Sequence, residues 1–283
     1  MTLTTALGLL VTLGQVQGEG TDTTFAVRAG TRLEVHNLNG DIVVRTWDRN
    51  SVRVQAEHSS RGRVNIGYGG VVLKISAASR RGAPLDVDYI LTVPAAMDLD
   101  LGGNNGDISV DGSTGRIQVE TVQGDVTVRG GRSLVTLHSV SGDVRVGEVR
   151  GRLEASSTNG EVTVDDVEGE VYTEATNGDV TLGGIRSDNV TAITVNGDIL
   201  YRGTIADNGH YRLSTHNGDV TVTVPEAASA TVSVSTFSGD FESDFPVTLS
   251  GASQGKRFSF TIGTGKATLE LESFQGSIRL VRP

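Results

Sequence analysis

From residue 101 onward, apolar and polar residues alternate in short bursts, broken at regular intervals by a small or amide residue, a glycine and an acid. Between Gly142 and Gly160 the inward-type positions are Val144, Val146 and Val149, then Leu153, Ala155 and Thr158. Period two places Val144 and Val146 on one face of a strand and Asp143 and Arg145 on the other. The second set repeats the first nine residues later, so the 18-residue unit reads as two halves of the form G-x-V-x-V-x-x-V-x, starting at Gly142 and Gly151. The next unit follows suit with Gly160, Val162, Val164 and Val167, then Gly169, Val171, Thr173 and Thr176. Each half predicts one short strand, and nothing in the interval has the period of a helix.

The glycine and acid pairs set the repeat. Gly106-Asp107, Gly124-Asp125, Gly142-Asp143, Gly160-Glu161 and Gly178-Asp179 lie 18 residues apart. Gly197-Asp198 follows after 19, then Gly218-Asp219 and Gly239-Asp240 after 21 each, with outlying copies at Gly40-Asp41 and Gly276-Ser277. A fixed period of this size marks a stacked repeat architecture. Two strands per rung, paired with their equivalents at a spacing of about 4.8 Å, make two sheets face to face over a Val, Leu and Ile core. The pattern therefore predicts an all-β, two-sided parallel β-solenoid (a β-helix or β-roll) with 18-residue rungs. A three-sided hexapeptide helix would instead space its inward aliphatics six apart; handedness is not written in the pattern, and the general preference of parallel crossovers favours a right-handed coil. The glycines serve corners that need positive φ or close backbone approach, and Asn105, Asn159, Asn177, Asn196 and Asn217 before them predict an amide ladder. The solenoid spans 101–243. Residues 19–100, with longer strands at 31–36, 51–57 and 87–93 and the only Trp, read as an N-terminal β cap. Residues 244–283, with Phe258, Phe260 and Phe274 as bulk, read as a C-terminal one.

Composition narrows the chemistry. Gly makes up 37 of 283 residues, as many tight corners require, and the formal net charge of −10 leaves no basic stripe for nucleic acid. Cys is absent, which excludes disulfides, thiol catalysis and Cys-based metal sites. Residues 1–18 are uncharged, contain an apolar run at 6–13 and end in small residues, the pattern of a signal peptide cut after Gly18. The expected location is thus secreted or in the cell envelope.

The stretches NGDIVVRTWDRNSVRVQAEHSS at 39–60 and YILTVPAAMDLDL at 89–101, with the NGDI, NGEV and NGDV repeats that follow, resemble the bacterial DUF4097-type β-strand-repeat family. That family is regarded as one of candidate adhesins, related to the head domains of autotransporter adhesins. The resemblance covers about residues 24–283. It implies a β-solenoid fold and an envelope or cell-surface location, and it brings no catalytic residues.

The acids of the repeat, from Asp107 through Asp219, stack into a column whose neighbours repel by about 1 kcal/mol in water. The expectation is that each carboxylate faces solvent and accepts a turn N–H; cation binding along the corner is the rival reading. The glycine-rich nine-residue unit of calcium-binding rolls is missing, and the five histidines, at 36, 58, 138, 210 and 216, lack metal-ligand spacing. No nucleophile motif or phosphate loop occurs, so no cofactor and no enzyme activity are expected. One sheet's outward row, Ser109, Thr127, Thr163, Thr181 and Thr221, is interrupted by Arg145 and Leu200. The other sheet's row, with Gln118, Glu120, Thr136 and His138, is mixed; within it Tyr172, Arg212, Glu154 and Glu174 are the candidate contacts for a glycan or protein ligand. The sequence thus predicts a non-catalytic binding or structural module, with adhesion as the leading role. Rival readings are an envelope-stress scaffold or sensor that binds a membrane partner, and a polysaccharide-active β-helix enzyme.

Overall fold

The computed structural model describes residues 20–59, 62–79, 85–246 and 257–283, so the expected signal peptide lies outside the described residues. Every regular element among them is a β-strand, gathered into two 13-stranded sheets. Within the repeat each rung runs through a long strand, a Gly-acid corner, a short strand and a second corner. The rung at the middle of the repeat shows the plan. Arg152–Asn159 pairs in parallel with Val171–Asn177, Leu153 facing Val171 and Asn159 facing Asn177. Val162–Asp165 pairs likewise with Val180–Ile185 across the molecule. The prediction of a two-sided parallel solenoid with 18-residue rungs holds, and the two sides are conveniently named the long-strand and short-strand sheets.

The inward residues of both sheets meet in one continuous core. Val144, Val146, Val149, Leu153 and Ala155 are buried, as the period-two pattern demands. Thr158 and Thr176 are not: the structure turns them outward and puts Ser157 and Ala175 inside. The two halves are unequal, which explains the difference. Val149 reaches the core because it follows a corner at Gly147 and Glu148, whereas the long strand simply alternates to its end. Ser157 is tolerated inside because its hydroxyl donates to the Gly142 carbonyl of the preceding corner at 2.9 Å. Ser139, Thr194, Thr215 and Ser273 make the same bond to Gly124, Gly178, Gly197 and Gly218.

The corners stack as tightly as the strands. Gly142 has φ 152°, and a Cβ added there would overlap the Gly124 carbonyl oxygen, so the residue is set by close approach of successive rungs. The amide ladder forms: Asn177, Asn196 and Asn217 each donate to the side-chain oxygen of the Asn one rung before, at 2.7–2.9 Å. A separate pair, Asn105 on Asn39, lies toward the N-terminal end, divided from the ladder by Gln123 and Ser141 at the same position of the intervening rungs.

The ends are built differently from the repeat. Arg32–Asn39 and Ile42–Trp47 form a full rung stacked in register on Asp98–Asn105 and Ile108–Ser113. Beyond that rung lie the antiparallel strands Gly20–Ala26, Ser51–His58 and Gly62–Gly69. At the other end, Ala267–Gln275 enters the long-strand sheet between His210–Asn217 and Ala230–Ser238. Ile278–Val281 enters the short-strand sheet in the same way, between Val220–Thr223 and Phe241–Ser243. The last rung in the sequence is therefore internal in space, and antiparallel Arg257–Ile262 closes the long-strand sheet.

Candidate binding face

Each residue class singled out in the sequence occupies a distinct place on this frame. The pairs from Gly106-Asp107 to Gly218-Asp219 line one corner. There the acids do more than face solvent. Oδ1 of Asp107 accepts the main-chain N–H of Asp125 at 2.8 Å, Asp125 that of Asp143, and Asp143 that of Glu161. Asp179 serves Asp198, and Asp198 serves Asp219. Every aspartate of the column from Asp107 to Asp219 thus accepts a turn N–H, from the next rung rather than its own, while among the described residues the Glu161 carboxylate accepts none. Arg145 supplies positive charge to the column, bridging Asp125 at 3.0 Å and Asp143 at 2.5 Å, and its hydrogen bond to Asp125 raises the guanidinium pKa further. Arg279 holds Asp219 at 2.7 Å. Among the described residues no three His, Cys, Asp or Glu side chains are grouped to hold a metal ion.

The outward row of the short-strand sheet sets Thr127 beside Arg145, Thr163 beside Thr181, and Leu200 beside Thr221. The long-strand sheet presents a different outer surface. Alternation along Arg152–Asn159 sends Glu154, Ser156 and Thr158 out, and parallel register extends each position into a column that runs the length of the molecule. Glu154, Tyr172, Thr191 and Arg212 are consecutive members of one column, and Glu174 lies in the next. The four candidate contacts therefore share one face, with Arg212 about 10 Å from Tyr172 at ordinary strand spacing. The Tyr172 hydroxyl donates to Glu174 Oε2 at 2.8 Å; that bond, burial and the charges of Glu174 and Glu154 raise the phenol pKa. Arg152 steadies Glu154 at 2.8 Å, and Arg212 faces Glu272 at 3.5 Å.

A third column escapes the sequence reading. It holds the second residue before each corner glycine, and its members include Leu38, Val122, Val140, Val195, His216, Phe274 and Phe237. Phe237 is 72% exposed and Leu38 62%. The Phe237, Phe274 and His216 rings stack nearly parallel, with centroids 4.8 and 4.6 Å apart. Beside the column, Gly102 lacks an outward side chain and leaves a shallow depression walled by His36, Glu120 and His138. The sequence carries a signal for this column, because each member precedes its corner glycine by two.

A face with an apolar column broken by Asn104, Thr158, Thr176 and His216, an exposed tyrosine and charges of both signs has the chemistry to bind a macromolecule, since aromatic anchors bounded by polar groups dominate such contacts. The family model described as Toastrack DUF4097 matches residues 30–281. No curated protein matches the sequence. Among solved structures, the chain is similar to a "putative adhesin" from Bacteroides fragilis, at 11% identity over 93% of this chain and 97% of that one, with a TM-score of 0.45. A "putative adhesin" from Parabacteroides distasonis is 14% identical over 94% and 98% of the two chains, with a TM-score of 0.40. A "putative cell adhesion protein" from Clostridium sporogenes is 8% identical over 93% and 100%, with a TM-score of 0.23.

Proposed function

The chain belongs to the Toastrack DUF4097 family, and from that premise we propose that it is a non-catalytic binding module of the cell envelope that presents the outer face of its long-strand sheet to a macromolecular ligand. One observation carries the reading. Exposed large apolar residues of the stacked rungs concentrate on that face: Leu38, Val122, Tyr172, Val195, Phe237 and Phe274 all lie there, with Ile90 on the short-strand sheet. Apolar groups gathered in one polar-rimmed strip mark a contact surface, whereas scattered ones need no explanation. The uncharged, apolar segment at 1–18 supports export, and adhesion through a glycan or protein ligand is the role that fits an exported, flat-faced module.

The test is binding of the purified chain to a glycan and extracellular-matrix array, beside a Tyr172→Ala and Arg212→Ala double variant. Selective binding that drops at least tenfold in the variant is the expected result. Binding untouched by the double variant but lost on Thr163→Lys and Thr181→Lys, which alter the opposite face, would overturn the assignment.

A further inference from the structure

We infer that the turn at 206–209 is a site of spontaneous covalent modification: Asn208 loses its side-chain amide to water and becomes aspartate or isoaspartate, while the asparagines of the corners are held intact.

The chain places asparagine directly before glycine at 39, 105, 159, 177, 196, 208 and 217. That dipeptide invites cyclisation, because glycine has no side chain to shield its main-chain nitrogen. The glycine nitrogen attacks the asparagine Cγ, and the new N–C bond closes a succinimide ring. The side-chain nitrogen departs as ammonia, taking the proton that the main-chain nitrogen gives up. Water then opens the ring at either carbonyl. One opening leaves aspartate in an ordinary main chain; the other leaves isoaspartate, whose main chain runs through the side-chain carbon and is longer by a methylene.

Six of these asparagines stand at corners and are locked twice. The N–H of the following glycine donates to a carbonyl of the next rung: Gly40 to Asn105, Gly106 to Gln123, Gly160 to Asn177, Gly178 to Asn196, Gly197 to Asn217 and Gly218 to Gln275, at 2.9–3.0 Å. Their side-chain amides are held as well, Asn39 with Asn105 and the other four in the ladder. Bringing nitrogen and Cγ together at a corner therefore means parting two rungs, and packed strands open far less often than turns.

Asn208 has neither lock. It is exposed, and its amide makes no hydrogen bond among the described residues. The Gly209 N–H is held only within the turn, by the Ala206 carbonyl at 3.0 Å. Asn208 has φ 64° at the third position of this turn, a conformation that asparagine tolerates. Opening one turn frees both reacting groups.

The same turn seats the inserted strand Ala267–Gln275. The Gly209 carbonyl accepts the Thr268 N–H at 2.8 Å, and Asp207 holds Lys266 at 2.5 Å. A methylene added to the main chain at 208 shifts Gly209 away from Thr268 and loosens the start of that strand.

Incubation of the folded chain at mildly alkaline pH, followed by peptide mapping with mass spectrometry, reads each conversion separately. Asn208 should convert at least tenfold faster than any corner asparagine, and in concentrated urea that preference should vanish. A corner asparagine that keeps pace with Asn208 in the folded chain overturns the inference. So does an Asn208 that stays intact while the unfolded chain reacts, or a preference as large in urea, which would belong to the local sequence. Hydrogen exchange reads the consequence. The isoaspartate fraction should exchange faster at Thr268, whereas an Asn208→Asp chain, which has the added charge without the methylene, should exchange as the parent does. Unchanged exchange in the isoaspartate fraction, or equal loss of protection in the Asn208→Asp chain, overturns the link through the main chain to the inserted strand.

Discussion

Glu161 is the only glutamate in the corner column between Asp107 and Asp219, and the ladder of carboxylate-to-amide bonds changes there. Asp143 reaches the Glu161 N–H at 2.9 Å, but among the described residues no such bond joins the Glu161 carboxylate to the Asp179 amide. The additional methylene carries the carboxylate beyond the short reach that aspartate spans. Glu161→Asp is therefore expected to complete the ladder and stabilise the fold by about 0.5–1 kcal/mol, the usual net worth of one hydrogen bond. A higher urea midpoint at unchanged m-value would show it; an unchanged or lower midpoint would contradict the account of the column. The column itself was legible in the sequence because a fixed spacing of 18 forces alignment. Its bonding pattern was not, since a turn acid serving its own loop and one serving the next rung look identical in the chain.

Among the elements, strands and corners were legible where local chemistry decides them. Alternation placed Tyr172 and Glu174 outward, and the Asn-Gly corners announced their ladder. The misplacement of Thr158 and Thr176 came from giving both halves of the repeat one template, although one half bends after four residues and the other continues for eight. The insertion of Ala267–Gln275 and Ile278–Val281 between earlier rungs was illegible for another reason: these strands satisfy the same pattern at any position in the stack, and only long-range pairing chooses one. That placement has an energetic consequence. In a simple linear repeat array, removing the last unit costs one interface. Here it removes both neighbours' partner, so a chain ending at Gly265 should lose amide protection across 210–217 and 230–238 together, read by hydrogen exchange. Protection retained in His210–Asn217 at its full-length level would contradict the insertion.

For the molecule as a whole, the two sheets divide the labour. The short-strand side sets its acids in the corner column, where Arg145 pairs with Asp125 and Asp143 and Arg279 with Asp219. The long-strand side has the apolar edge and the aromatic stack, and its columns offer a ligand one repeated contact per rung. Hydroxyl-radical footprinting with and without an array-selected ligand tests the binding face most directly. Tyr172, Phe237 and Phe274 should become protected while Tyr68, on the terminal hairpin strand Gly62–Gly69, keeps its reactivity. Protection at Tyr68 with Tyr172, Phe237 and Phe274 unchanged would contradict the claim that the long-strand face is where this protein binds.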